Sequence, residues 1–305
     1  MKQALVFPGQ ASQYVGMAKD IFEKYDSVKK MYTTANEILG FNIAKISFEG
    51  PIEELTETKI TQPALFIASA AFFSLLPKEI EFEMTAGHSL GEYSALFAAG
   101  VLSFEDALSI VKVRGEQMQA AGETNKGTMA AILNQSREQV DKICEHGSAR
   151  GVVQAANYNS PGQIVISGDV EAVHYAMEIA RNLGVRKVIG LNVSGAFHSP
   201  LMRSAKAGLA TAIDQAEFKP AKVPVIANVN AQATTDPDQI KTNLIDQLDS
   251  PVLWEDSVEA MLKAGITHFR EIGPGKVLQG LIRRIHRDSV VSGVGSLEQL
   301  EGLST

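Results

Sequence analysis

The residues Gly87-His88-Ser89-Leu90-Gly91 spell Gly-x-Ser-x-Gly. A serine in this pattern can serve as a nucleophile when it sits on a sharp strand-to-helix turn. The turn holds the hydroxyl out toward a substrate, and the glycines let the backbone bend. The flanks read that way: residues 80–86 look like a strand and residues 92–99 like an apolar helix. A helix starting just after Ser89 aims N–H groups and its positive end at the serine, which would stabilise an oxyanion there. The competing reading is a chance match of a short pattern. The flanking strand and helix favour the nucleophile.

A serine hydroxyl is a poor nucleophile until a base takes its proton, and histidine is the usual base near neutral pH. His88 adjoins Ser89, but neighbours on a sharp turn point different ways, so His88 reads as a support for the turn. His198 lies in a loop, Ala196-Phe197-His198-Ser199-Pro200, and is the better candidate. His146, His174, His268 and His286 fall on helices or strands with ordinary polar context. Position alone does not decide for His198. An oxyanion hole takes one N–H from the residue after the nucleophile, here Leu90, and a second from another strand-end loop. The loop Phe7-Pro8-Gly9-Gln10-Ala11-Ser12-Gln13 follows a strand, and Gln10 could supply it; an ordinary β–α connection is the alternative.

Arg114 lies on a helix expected over residues 104–120, with Ser103 as N-cap and Asp106 three residues on. At about 100° per residue, Glu105, Ser109, Lys112, Glu116 and Gln119 form the polar face, and Arg114 points away from it. A buried cation needs a partner. A salt bridge or a snorkelling side chain would answer, and so would an anionic substrate group, which the planar guanidinium grips with two parallel hydrogen bonds. Both readings stand at this point.

These residues need a frame, and strand and helix patterns alternate from the start. Residues 4–7 read as a strand, 11–39 as helical segments, and Thr61-Gln62-Pro63 as the opening of an apolar helix to residue 76. Such alternation implies an α/β sheet covered on both faces. From Gly127 the order becomes β-α-β-β-α-β: strands at 127–133, 152–156, 163–167 and 185–193, helices at 136–146 and 170–183. That is the ferredoxin-like order. The expected division is a large domain, residues 1–126 and 194–305, with a small one, 127–193, inserted. A helix over 201–215 and strands over 223–229 and 268–272 follow. Gly273-Pro274-Gly275-Lys276 reads as a strand-to-helix turn, since Val277 stands where a P-loop needs Ser or Thr. Residues 289–305 carry no assignment.

The chain has 305 residues, 45% apolar and 21% charged, which suits a soluble globular enzyme. No apolar run spans a bilayer, and the start reads as a strand rather than a signal peptide. The single cysteine, Cys144, reads as structural filler and fits a cytoplasmic location. The six histidines show no metal-cluster spacing. A net charge of −7 argues against nucleic acid as a partner. Arg283, Arg284, His286 and Arg287, and likewise Lys276, Arg181, Arg186, Lys187 and Arg203, are candidates for a local basic patch that meets an acidic partner; solvated surface charge is the better reading of any one of them.

Together these stretches resemble the malonyl-CoA:acyl carrier protein transacylases of fatty acid and polyketide synthesis. The matching pieces, in the family's order, are Phe7-Pro8-Gly9-Gln10, Thr61-Gln62-Pro63-Ala64, Gly87 through Ser94, Arg114-Gly115, Asn157 through Gln163, Gly195-Ala196-Phe197-His198-Ser199 and Glu271 through Leu278. The resemblance implies an α/β-hydrolase-like large domain, a ferredoxin-like small one and a site in the cleft between them. It implies Ser89 as nucleophile, His198 as base, and a backbone carbonyl near Gln247 orienting the histidine. It further implies an oxyanion hole from the N–H groups of Gln10 and Leu90, with Arg114 holding the malonyl carboxylate. Malonyl-CoA and acyl carrier protein are the implied partners. No cofactor or metal is implied, the membrane is not a partner, and a monomer suffices. The family's loop is Gly-Gln-Gly-Ser-Gln; this chain has Ala11 at the third place, which would be strained if the backbone there needs a positive φ. Rival readings are a carrier-protein acyl hydrolase on the same fold, a methylmalonyl-type transferase and a non-catalytic docking protein. Arg114 speaks against the first, Phe197 against the second, and the intact Ser89, His198 and Arg114 against the third.

Overall fold

A computed structural model describes residues 2–303; positions 1, 304 and 305, at the outer ends of the expected large domain, lie outside the described residues. The strands in chain order are β1 (Gln3–Phe7), β2 (Met84–Gly87), β3 (Gly127–Leu133), β4 (Val153–Ser160), β5 (Gln163–Asp169), β6 (Val188–Gly190), β7 (Val225–Ile226), β8 (Ala233–Thr234), β9 (His268–Ile272) and β10 (Val290–Val294). They form two sheets, β10-β9-β1-β2-β7-β8 and β4-β5-β3-β6. The fold is α/β, as the alternation implied.

In the first sheet β10, β9, β1, β2 and β7 are all parallel, and only β8 runs the other way. Parallel sheets are covered on both faces, so their strands are apolar throughout. β1 obeys this: all five residues are buried. Leu5 and Phe7 face one core and Ala4 and Val6 the other, where Phe269, Trp254 and Leu278 meet them. The helix Thr58–Ser74 is buried nearly all round, which explains its unbroken apolar run. It starts one turn before the expected Thr61 and carries Pro63 inside, losing only the bond an N–H at 63 would give to the carbonyl four residues back.

The second sheet is antiparallel throughout, and its order is that of a ferredoxin-like sheet. Strand alternation divides its faces. Ala130 and Ile132 lie under the helices Arg137–Gly147 and Val170–Asn182, while Met129 and Ala131 join the core of the first sheet. Cys144 is buried in the first of those helices. Ser136 and Gln139 form the capping box.

Several boundaries differ from expectation. Residues 80–83 are irregular; β2 starts at Met84, and the apolar beat came from Phe82 dipping into the core. The expected strands at 185–193 and 223–229 shrink to β6 and β7, beyond which pairing is reduced to single backbone hydrogen bonds such as Leu191 N–H to the Met129 carbonyl and Thr85 N–H to the Pro224 carbonyl. Pro200 opens a 3-10 stretch, Pro200–Ala205, before the helix Lys206–Gln215. Residues 289–303 carry structure that the sequence left unassigned: β10 adds an edge strand beside β9, and the helix Leu297–Glu301 follows; positions 304 and 305 lie outside the described residues. No helix among the described residues is long and apolar enough to cross a membrane.

Candidate active site

The turn after β2 is tight because two glycines let it be. A Cβ on Gly87 would strike the carbonyl group of Gly91, and one on Gly91 would strike the backbone of Phe7 and Pro8. The helix Gly91–Ala98 is thereby pressed against the ends of β1 and β2. Between them Ser89 takes φ 52°. A left-handed conformation costs a non-glycine residue about 1–2 kcal/mol. Three hydrogen bonds hold it there. Ser89 N–H donates to Asn228 Oδ1 at 2.6 Å, Gln247 Nε2 donates to the Ser89 carbonyl at 3.0 Å, and Asn228 Nδ2 donates to the Gly87 carbonyl at 2.7 Å.

The Ser89 hydroxyl faces His198, with Oγ 2.8 Å from Nε2. His198 Nδ1 lies 2.8 Å from the backbone carbonyl of Gln247. A carbonyl only accepts, so Nδ1 carries the hydrogen and Nε2 presents a lone pair to the serine. Burial, aided by the charge of Arg114, pushes the histidine down to about 3, so the ring is neutral at pH 7. His88 is turned elsewhere. Its Nε2 is 2.8 Å from Asn159 Oδ1 and its ring sits 5.7 Å from that of Trp254, so it braces the turn.

Arg114 is 1% exposed, and no carboxylate among the described residues lies within ion-pair distance of it. It neither snorkels nor forms a salt bridge. Its Nη1 donates to Gln62 Oε1 at 2.6 Å, and its Nη2 donates to Gln247 Oε1 at 2.8 Å and Ser89 Oγ at 3.1 Å. A buried cation held only by neutral acceptors is set to receive an anion.

Ser89, His198 and Arg114 open into a cavity of about 310 Å³ between the two sheets, also lined by Gln10, Leu90, Met118, Met129 and Phe197. Leu90 is the residue before the helix Gly91–Ala98, at its positive end. Among the described residues, neither the Gln10 nor the Leu90 N–H has an acceptor, whereas the Ser89 N–H is already taken by Asn228. Ala11 has φ 79°, the conformation in which alanine is strained.

Sequence reasoning brought Ser89, His198, Arg114, Gln10, Leu90 and Gln247 to this cavity or its wall, and missed Glu92 and Asn228. Glu92 is 2% exposed; its Oε2 accepts from Gln247 Nε2 at 2.7 Å and from the Asn228 N–H at 3.1 Å. Burial raises its carboxyl to about 7 against the pull of those two hydrogen bonds and of the charge of Arg114. The available signal was a charged residue in the first turn of an otherwise apolar helix, and an asparagine closing the apolar run that contains β7.

The description "Acyl transferase domain" matches residues 4–299. A malonyl CoA-acyl carrier protein transacylase from Staphylococcus aureus (strain MW2) is 45% identical over 302 residues, covering 99% of this chain and 98% of its own. One from Bacillus subtilis (strain 168) is 45% identical over 305 residues, covering 98% and 95%. Among solved structures, an acyl carrier protein S-malonyltransferase from Vibrio cholerae superposes with TM-score 0.95 at 41% identity, covering 99% of this chain and 100% of that one. A malonyl-transacylase solved with a type II PKS acyl-carrier protein superposes with TM-score 0.95 at 36% identity, each chain covered to 99%. With the matched region spanning nearly the whole chain at this identity, the chain belongs to the malonyl CoA-acyl carrier protein transacylase family of acyl transferases.

Proposed function

We propose that this chain is an [acyl-carrier-protein] S-malonyltransferase that works through a malonyl-serine ester. The observation that carries the reading is the buried Arg114, paired with neutral groups only and 3.1 Å from the hydroxyl that His198 addresses. An uncharged acyl chain gives such a cation nothing to bind.

His198 Nε2 takes the proton of Ser89 Oγ as the oxygen attacks the malonyl thioester carbon. The tetrahedral oxyanion sits against the N–H groups of Gln10 and Leu90, which need no reorganisation to receive it. The imidazolium is held by its Nδ1–H to the Gln247 carbonyl, and Nε2 returns the proton to the departing CoA sulfur. CoA leaves as a thiol. In the second half the phosphopantetheine thiol of acyl carrier protein gives its proton to His198 and attacks the ester, and Ser89 recovers its hydrogen. Burial first, and the charge of Arg114 second, suppress the basicity of His198. A carboxylate on Arg114 offsets that charge, so malonyl binding strengthens the base as well as placing the acyl group.

The test is transfer itself. Holo acyl carrier protein incubated with malonyl-CoA and the enzyme should gain one malonyl group by mass, and Ser89→Ala should abolish the gain. Release of free malonate faster than carrier loading would point to the hydrolase and sink the proposal.

A further inference from the structure

We propose that Glu92 is a positioning residue: it locks the side-chain amide of Gln247 in the one orientation that holds Arg114 against Ser89. The inference rests on the malonyl transfer proposed above and assigns a duty to a buried carboxyl that the reaction itself does not use.

Gln247 is fully buried and stands between both halves of the machinery. Its backbone carbonyl accepts from His198 Nδ1, and its Oε1 accepts from Arg114 Nη2. Its Nε2 donates to Glu92 Oε2 at 2.7 Å and to the Ser89 carbonyl at 3.0 Å. A side-chain amide is nearly symmetric in shape, and rotation by half a turn exchanges its oxygen and nitrogen. Only the partners decide between the two orientations. A guanidinium has donors only, so the amide oxygen must face Arg114. On the other side, the Ser89 carbonyl and Glu92 both accept there. If the amide turned over, its NH₂ would meet the guanidinium donor to donor, and Arg114 would lose the contact that steers Nη2 toward the serine.

Glu92 is held in its turn. The Asn228 backbone N–H points at the same Oε2, so an oxygen must occupy that place. The lock therefore needs an acceptor at a set distance, and a formal charge is not required. Glutamine at 92 can supply that acceptor, because the Asn228 N–H selects its oxygen. Aspartate keeps the charge but withdraws the oxygen by one methylene. Methionine keeps the volume and removes the acceptor.

The experiment measures acylation of Ser89 by malonyl-CoA and by acetyl-CoA in single turnover, for wild type, Glu92→Gln, Glu92→Asp and Glu92→Met, with thermal midpoints to correct for folded fraction. The readout is the malonyl-to-acetyl rate ratio, which a general loss of stability would leave unmoved. Glu92→Gln should keep the wild-type ratio. Glu92→Asp and Glu92→Met should lower it about tenfold, the scale of one weakened charge-assisted hydrogen bond. Aspartate gives a mild variant that serves even where methionine does not fold. A ratio kept by Asp and lost by Gln would show that charge is what matters and overturn the lock. Unchanged ratios throughout, or malonyl and acetyl rates falling together, would overturn it as well. If wild type takes no malonyl group, the functional proposal has failed, independently of Glu92.

Discussion

Replacing Arg114 with alanine should separate malonyl from acetyl chemistry. The guanidinium is 1% exposed, and its Nη2 is 3.1 Å from Ser89 Oγ, so a carboxylate on the same fork stays within reach of an acyl group on the serine. Each hydrogen bond to a charged group contributes about 1.5–3 kcal/mol, so the loss of a two-pronged grip costs about 3–6 kcal/mol. At about 1.4 kcal/mol per decade, kcat/KM for malonyl-CoA should fall at least ~100-fold. Acetyl-CoA offers no carboxylate, so its slower acylation should change by less than about tenfold, on the same conversion. Gln62 and Gln247 each lose a donor, at about 1–3 kcal/mol apiece, but the variant also sheds a desolvated charge, so the thermal midpoint should move only modestly. Arg114→Lys keeps the charge without the planar fork and should fall between wild type and alanine. The assay is rapid-quench acylation with both thioesters. Equal losses for the two substrates would refute the reasoning and leave Arg114 as scaffold alone.

Gly91→Ala should destabilise the chain severely, because its Cβ meets the backbone of Phe7 and Pro8; Gly280→Ala, with nothing within 4 Å, should stabilise it by about 0.5–1 kcal/mol, and thermal melts compare the two. Ala11→Gly relieves the strain of φ 79° but loosens the unfolded chain; the net gain should be about 0.5 kcal/mol, and a lowered midpoint would contradict this. Because the buried His198 stays neutral down to about 3, kcat/KM for malonylation should stay level from pH 8 to 5.5. A histidine at its ordinary value would lose about tenfold over that span. Glu92 is raised to about 7 from 4.5, so the folded state binds the extra proton in that window. The stability it contributes is full below pH 4.5 and lost as pH rises through 7. Glu92→Gln should therefore gain on wild type in chemical denaturation as pH rises from 5 to 8.

The serine turn was legible because a local pattern of two glycines, a strand and an apolar helix specifies it. Arg114 was legible as a cation on the wrong face of a helix, though its partners Gln62 and Gln247 lie far off in sequence and leave no periodic trace. His198 stood out as the better base candidate from its loop, and the family resemblance decided for it; Gln247 came from that resemblance alone. The network of Glu92, Asn228 and Gln247 stayed hidden for the same reason: it joins three elements across Glu92 and Gln247, 155 positions apart. Strand patterns misled where apolar residues filled gaps rather than paired. Residues 80–83 alternate without a ladder, residues 185–193 pair with the sheet only around β6, and β10 forms because β9 offers it an edge.

The central claim is a malonyl ester on Ser89, and the direct measurement is intact and peptide mass after brief exposure to malonyl-CoA. The account predicts one malonyl group, mapped to the peptide containing Ser89, absent in Ser89→Ala and discharged by holo acyl carrier protein. An adduct on another residue, one that survives Ser89→Ala, or carrier loading with no adduct at any time would contradict it.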